Sequence, residues 1–170
     1  MAVHESTPVE QRILSVLVEN RAGVLSHVVG LFSARGFNID SLAVGETEDP
    51  TMSRITLVAK GDAKTLEQIK KQLNKLIDVI KVQDLTDEGY IDKELMLVKI
   101  KSSPKAAAAI KNLMPSYRLQ IVDENPKVVT VECTESRENT KKLFEIFKEI
   151  GIEEIAQTGT VALSKKPPKD

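Results

Sequence analysis

The sequence predicts an α+β protein made of two tandem β-α-β-β-α-β units. Apolar residues alternate in short runs at every second position and recur elsewhere at every third or fourth, so strands and helices are both present. These runs follow one order from residue 10 to residue 86, and the same order returns from residue 93 to residue 166. Between them, within "TDEGYID", residues 87–92 read as a polar linker. At about 70 residues, each unit has a plausible though marginal size for a core of its own.

In the first unit, Arg12 to Val18 is a strand, with Leu14, Val16 and Val18 on one side and Ile13 and Leu17 on the other. From Leu25 the spacing becomes Leu25, Val28, Val29, Phe32, which is helical. Ile39 to Glu46 is the next strand, "TEDP" a turn, and Met52 to Ala59 a strand with Ile55, Leu57 and Ala59 facing one way. Asp62 is placed to cap a helix whose stripe is Leu66, Ile69, Leu73 and Leu76, and Val79 to Leu85 closes the unit.

The second unit opens with the strand Leu95 to Lys101. Its first helix is bounded by a capping Ser103, Pro104 at the first helical position and Pro115 as a stop. Tyr117 to Asp123 and Val128 to Cys133 flank the "ENPK" turn. Ser136 opens a helix striped by Leu143, Phe144, Phe147 and Ile150 and ended by Gly151, and Ile152 to Leu163 reads as one closing strand. "SKKPPKD" reads as a frayed tail. This order gives a ferredoxin-like unit, an antiparallel sheet with both helices on one face. The other face is left bare, and because the first strand is apolar on both sides, a partner covering that face or pairing at the sheet edge is expected.

Composition narrows the function. The 170 residues are 41% apolar and 29% charged with a formal net charge of −1, which suits a globular chain and offers no general positive field for nucleic acid or an anionic membrane. No apolar run approaches the roughly 20 residues that span a bilayer, and "MAVHESTPVEQ" has no signal core, so a cytoplasmic location is expected. The lone Cys133 lies in an apolar run and reads as a buried thiol.

Catalytic signatures are missing. There is no G-x-G-x-x-G, Walker-type loop or G-x-S-x-G elbow. His4 falls in the N-terminal tail and His27 on the outward side of its helix, neither near a second His or Cys, so no metal site and no catalytic residue is assigned. Glu46, Glu48 and Asp49 could hold a hard cation, but a solvated acidic turn accounts for them. RNA readers of this strand order stack bases on strand aromatics, and here only Tyr117 is on a strand.

One place invites a ligand. Between the first strand and helix, "NRAG" points the unpaired N–H groups of a helix start at one small volume that suits a carboxylate. Gly23 permits close approach, Asn20 offers an amide, and Asn38 could reach in from the helix's far end or from a neighbouring subunit. On residue chemistry alone, a plain turn explains the same residues.

The run "RILSVLVENRAGVLSHVVGLFSARGFNIDSLAVGETEDPTMSRITLV", with "QIKKQLNKLIDVIKV" after it, closely resembles the small regulatory subunits of acetolactate synthase (acetohydroxyacid synthase). In that family the first unit is an ACT domain. The resemblance continues more weakly through "ELMLVKI" and "QIVD", and Ala106 to Arg118 departs most from the family pattern. It implies a chain with no active site and no cofactor of its own. Such a chain pairs with itself through its ACT domains and binds a catalytic large subunit that carries thiamine diphosphate, Mg and FAD. It would activate that subunit and confer feedback inhibition by valine in branched-chain amino acid biosynthesis. Asn20, Gly23 and Asn38 match positions the family uses for valine, with Arg21, Ala22, Val24, Leu25 and Ile39 as their neighbours. A free-standing ACT-type amino-acid sensor with another partner is the alternative, and a small self-sufficient enzyme is a third.

Overall fold

The computed structural model describes residues 10–167, so His4 and the last three residues of the tail lie outside the described residues. Two compact units result. Unit 1 takes the described residues up to Tyr90 together with those from Ala162 onward, and unit 2 takes Ile91–Val161.

Unit 1 contains β1 (Glu10–Glu19), α1 (Val24–Ala34), β2 (Asn38–Glu46), β3 (Met52–Gly61), α2 (Ala63–Leu73) and β4 (Val79–Asp84). Its sheet runs β2-β3-β1-β4 with all neighbours antiparallel, so β1 is central and β2 and β4 are edges. Leu14, Val16 and Val18 of β1 meet Ile55, Leu57 and Ala59 of β3 on the face covered by Val24, Val28 and Phe32 of α1 and Leu66, Ile69 and Leu73 of α2. Both helices form because an apolar stripe has this sheet face to bury against, but α1 buries Val24, Val28, Leu31 and Phe32, while Leu25 of the expected stripe is exposed and Val29 only half-buried.

Unit 2 repeats the order with β5 (Tyr90–Lys101), α3 (Pro104–Leu113), β6 (Leu119–Glu124), β7 (Val128–Glu135), α4 (Arg137–Ile150) and β8 (Ile152–Gln157), and its strands run β6-β7-β5-β8. Met96, Val98, Ile100, Val129, Val131, Leu143 and Phe147 make its core. Cys133 is buried there, and burial pushes its thiol up to about 12, which keeps it protonated and inert. Phe144 is only half-buried, so the inward stripe of α4 is narrower than its spacing suggests.

Three expectations need correction. β5 starts at Tyr90, inside the stretch 87–92 read as linker. Tyr117 precedes β6 and packs against the unit 2 core instead of forming strand. The single strand expected over Ile152 to Leu163 breaks into β8 and a separate β9 (Val161–Ser164). The break is held by polar contacts. Thr158 exchanges bonds with Leu95, its N–H donating to the Leu95 carbonyl and its hydroxyl accepting from the Leu95 N–H, and the buried Thr160 hydroxyl donates to Glu94.

Beyond the break, the chain joins unit 1. Ala162 packs with Ile13, Val58 and Leu85, with Tyr90 beside them, and Lys165 donates its N–H to the Gly89 carbonyl. The second apolar side of β1 is therefore covered, at its Ile13 end, by this chain's own residues. None of the described helices is long and apolar enough to cross a membrane.

This packing is testable. Ala162 is 2% exposed, so Ala162→Asp places an unpaired carboxylate among apolar side chains, at a cost of about 3 kcal/mol or more if β9 stays docked. If β9 detaches instead, Ile13, Val58 and Leu85 are uncovered. The expected result is a lower urea midpoint or increased binding of a hydrophobic dye. An unchanged midpoint with unchanged dye binding would remove residue 162 from the core.

Candidate functional site

β1 ends at Glu19 and α1 begins at Val24, so Asn20 to Gly23 make the whole reversal. Gly23 sits at φ 90°, ψ −19°, in the left-handed region, where any other residue pays strain. A Cβ at Gly23 would meet nothing within 4 Å, so glycine is needed for its conformation and the space over it is open.

The other helices start differently. As expected, Asp62 accepts from Thr65 N–H; Ser103 accepts from Ala106 N–H and Ser136 from Asn139 N–H. α1 has no side-chain cap. Among the described residues, the N–H groups of Ala22, Gly23, Leu25 and Ser26 make no hydrogen bond. These bare donors stand at the positive end of the helix dipole, an arrangement that binds anions.

Asn20 frames the opening. Its Nδ2 donates to Glu46 Oε1 and to the Pro50 carbonyl, both at 2.9 Å, and its own N–H donates to the Thr51 carbonyl at 2.7 Å. Both side-chain partners are acceptors, so the amide can face them only through its NH₂. Oδ1 is left as the acceptor, which suits an ammonium and not a carboxylate. The bare N–H groups and Asn20 Oδ1 are thus complementary in chemistry to the two ends of a free amino acid.

Arg21 does not point into solvent alone. Its Nη2 lies 2.6 Å from Asp78 Oδ1 and 2.7 Å from Glu19 Oε2. His27, expected to be outward and solvated, has an exposed ring, yet its Nδ1 is 2.9 Å from Asp78 Oδ2. Asp78 is buried, and its bonds to His27 and then to Arg21 hold its carboxyl below the usual carboxylate range. The same bond raises the Arg21 guanidinium. Sequence reasoning missed Asp78. Its signal is an acid inside "LIDVI", since an acid flanked by apolar residues in a fold must find a partner.

The remaining expected residues divide. Ala22 is exposed and Leu25 is 38% exposed beside the turn, while Val24 is a core residue. Asn38 is exposed, its amide on Asp40 Oδ1, and Ile39 packs against the unit 1 core. These last two are far from the turn. Glu19 is paired with Met52 and Asn38 with Lys60, eight positions apart on β3, which is roughly 27 Å. One chain cannot close Asn20 and Asn38 on the same small ligand.

The acidic turn carries a different role from cation binding. Glu46 is engaged by Asn20, and Asp49 Oδ1 accepts from the Thr51 hydroxyl and N–H, which hold its carboxyl below the usual range. Among the described residues, no group of three or more His, Cys, Asp or Glu could hold a metal ion.

Comparison with known proteins identifies the family. Residues 14–81 match the family model of the AHAS small subunit-like ACT domain, and residues 93–166 match that of the small subunit of acetolactate synthase. An acetolactate synthase small subunit of Haemophilus influenzae is 45% identical over 156 residues, covering 91% of this chain and 96% of that one. The acetolactate synthase isozyme 3 small subunit of Escherichia coli is 44% identical with the same coverage. The crystal structure of an acetolactate synthase small subunit from Thermotoga maritima superposes with a TM-score of 0.81 at 35% identity, covering 94% of this chain and 99% of that one.

Asp78 gives the turn a pH dependence of known sign. Its native carboxyl titrates below the unfolded value of about 3.9, so its stabilisation is complete above that pH and is lost as pH falls through the native value. Asp78→Asn is expected to lower stability at neutral pH and flatten the acid limb, with faster amide exchange at residues 20–24. A carboxyl resonance of Asp78 titrating at or above 3.9 would contradict the assigned contacts.

Proposed function

The chain belongs to the acetolactate synthase small-subunit family, and on that premise we propose that it is the regulatory partner of a catalytic large subunit. In this reading it has no active site or cofactor of its own; thiamine diphosphate, Mg and FAD belong to the large subunit. It raises that subunit's activity and makes it sensitive to valine. The observation that carries the proposal is the uncapped start of α1, where, among the described residues, the N–H groups of Ala22, Gly23, Leu25 and Ser26 make no hydrogen bond and the space over Gly23 is open. Valine's carboxylate takes the N–H groups, its ammonium takes Oδ1, and the exposed part of Leu25 offers an apolar contact.

The separation of Asn20 from Asn38 makes the proposed site a property of two chains. If both asparagines bind one effector, Asn38 must come from a second copy. β2 carries Asn38 and is an edge strand of nine residues in the described sheet, with Val44 half exposed, and edge strands are where sheets of two copies join. A homodimer through the ACT domains then builds two equivalent sites.

Reconstitution with the large subunit and titration of acetolactate formation against valine test this proposal. Gly23→Asp brings a like charge against the effector's carboxylate, where unit charges 4 Å apart repel by about 4 kcal/mol at an effective dielectric of 20. Even half of that weakens binding roughly thirtyfold. The left-handed φ of 90° at Gly23 adds strain of about 1–2 kcal/mol. Gly23→Ala, which carries the strain without the charge, is therefore the control, with circular dichroism to confirm folding. The expected result is loss of valine inhibition in the Asp variant with activation retained. A folded Gly23→Asp that stays fully valine-sensitive would refute the site.

Mixing Gly23→Asp chains with Asn38→Ala chains tests the shared site. Each mixed dimer regains one intact site, so valine sensitivity should return in part, although neither variant alone shows it. No recovery in verified mixed dimers would place both residues' roles within single chains.

A further inference from the structure

We propose that the outer face of the unit 1 sheet, opposite α1 and α2, carries a second anion site for a small monocarboxylate with an apolar body. Leu17 in central β1 is paired with Arg54 on β3 and with Lys81 on β4. Residues directly opposite one another in antiparallel strands share a face. Arg54 and Lys81 therefore flank Leu17 on the outer side, their Cα atoms roughly 10 Å apart across three strands. The next row is Thr56, Ser15 and Gln83.

Arg54 is held for this role. It is half-buried, and its Nη1 donates at 2.9 Å to the hydroxyl of Ser15, which is 3% exposed. That bond fixes the guanidinium plane and leaves its other donors available. Among the described residues, no ion pair joins Arg54, Lys81 or Lys166 to an acid. The acids nearby are already engaged: Asp84 and Asp87 by Arg12, and Glu88 by the Gln83 amide. These cations and acids, with Lys70 reaching the rim from α2 around the β4 edge, line one cleft of about 650 Å³, walled by Leu17, Leu85, Leu163 and Pro167. The volume is that of a small-molecule site. A fixed guanidinium suits a planar carboxylate, the wall suits an apolar body, and the three acids on the rim disfavour a polyanion. The site lies on the other side of the sheet from the α1 turn and does not rest on the valine reading.

The test uses the full chain, ¹⁵N-labelled, titrated at constant ionic strength with isobutyrate and, separately, with neutral isobutyramide. Saturable shifts are expected at Ser15, Leu17 and the Arg54 side-chain Nε–H with isobutyrate and not with the amide. Arg54→Met and Lys81→Met should each weaken binding about tenfold or more. Lys81 is exposed, so its variant keeps the test valid if Arg54→Met disturbs Ser15. Gly23→Asp should leave these shifts in place. Non-saturable shifts, equal response to isobutyramide, full binding in Lys81→Met, or shifts confined to residues 20–26 would each overturn the site.

Discussion

The left-handed backbone at Gly23 is the constraint on which the start of α1 depends. β1 must deliver the chain into α1 within Asn20 to Gly23, and the reversal is made at φ 90°. A glycine at the cap position has no side chain to satisfy the helix start, so the geometry that lets the chain turn also leaves the donors bare. What keeps them in place comes from elsewhere. Glu46 and Pro50 hold Asn20, and Asp78 holds Arg21 and His27. The turn is thus clamped from two later loops while its centre stays open, and a site ordered in advance loses less entropy when its ligand binds.

The central strand β1 places a second demand on the fold, because both of its sides are apolar. Its inner side meets α1 and α2, and Ile13 on its outer side meets Ala162 of β9. The sheet is no longer bare at its Ile13 end, whereas β2 is an edge strand of the described sheet. The doubly apolar pattern correctly signals extra burial, but it cannot say which segment provides it.

Local rules made most of the fold legible. Period-2 and period-3.6 patterns predict the elements of both units, and Asp62, Ser103 and Ser136 cap the helices they precede. What escaped depends on contacts between distant residues. The break after β8 rests on Thr160 reaching Glu94, 66 residues away, and no periodicity carries that information. The site was legible as a turn with chemistry but not in its details. Positive φ at Gly23 is invisible in composition, the direction of the Asn20 amide is set by Glu46 and Pro50, and Asp78 is 57 residues from Arg21.

The two units share a strand order and differ where function would reside. In unit 2 the chain also passes from its first strand into a helix, from β5 into α3, through a short connection. There, Ser103 caps the helix by accepting from Ala106 N–H, and Pro104 stands in the first turn with no N–H to offer. Of the donors open at α1, the counterparts of Ala22 and Ser26 are filled at α3: Ser102 N–H donates to the Lys127 carbonyl and Ala106 N–H to the Ser103 hydroxyl. A carboxylate approaching α3 would have to displace the serine hydroxyl from Ala106 N–H. Duplicating the fold therefore does not duplicate the uncapped helix start. The difference comes down to the residues at one helix start, Gly23 against Ser103 and Pro104, while the sheet and helices that support them stay alike.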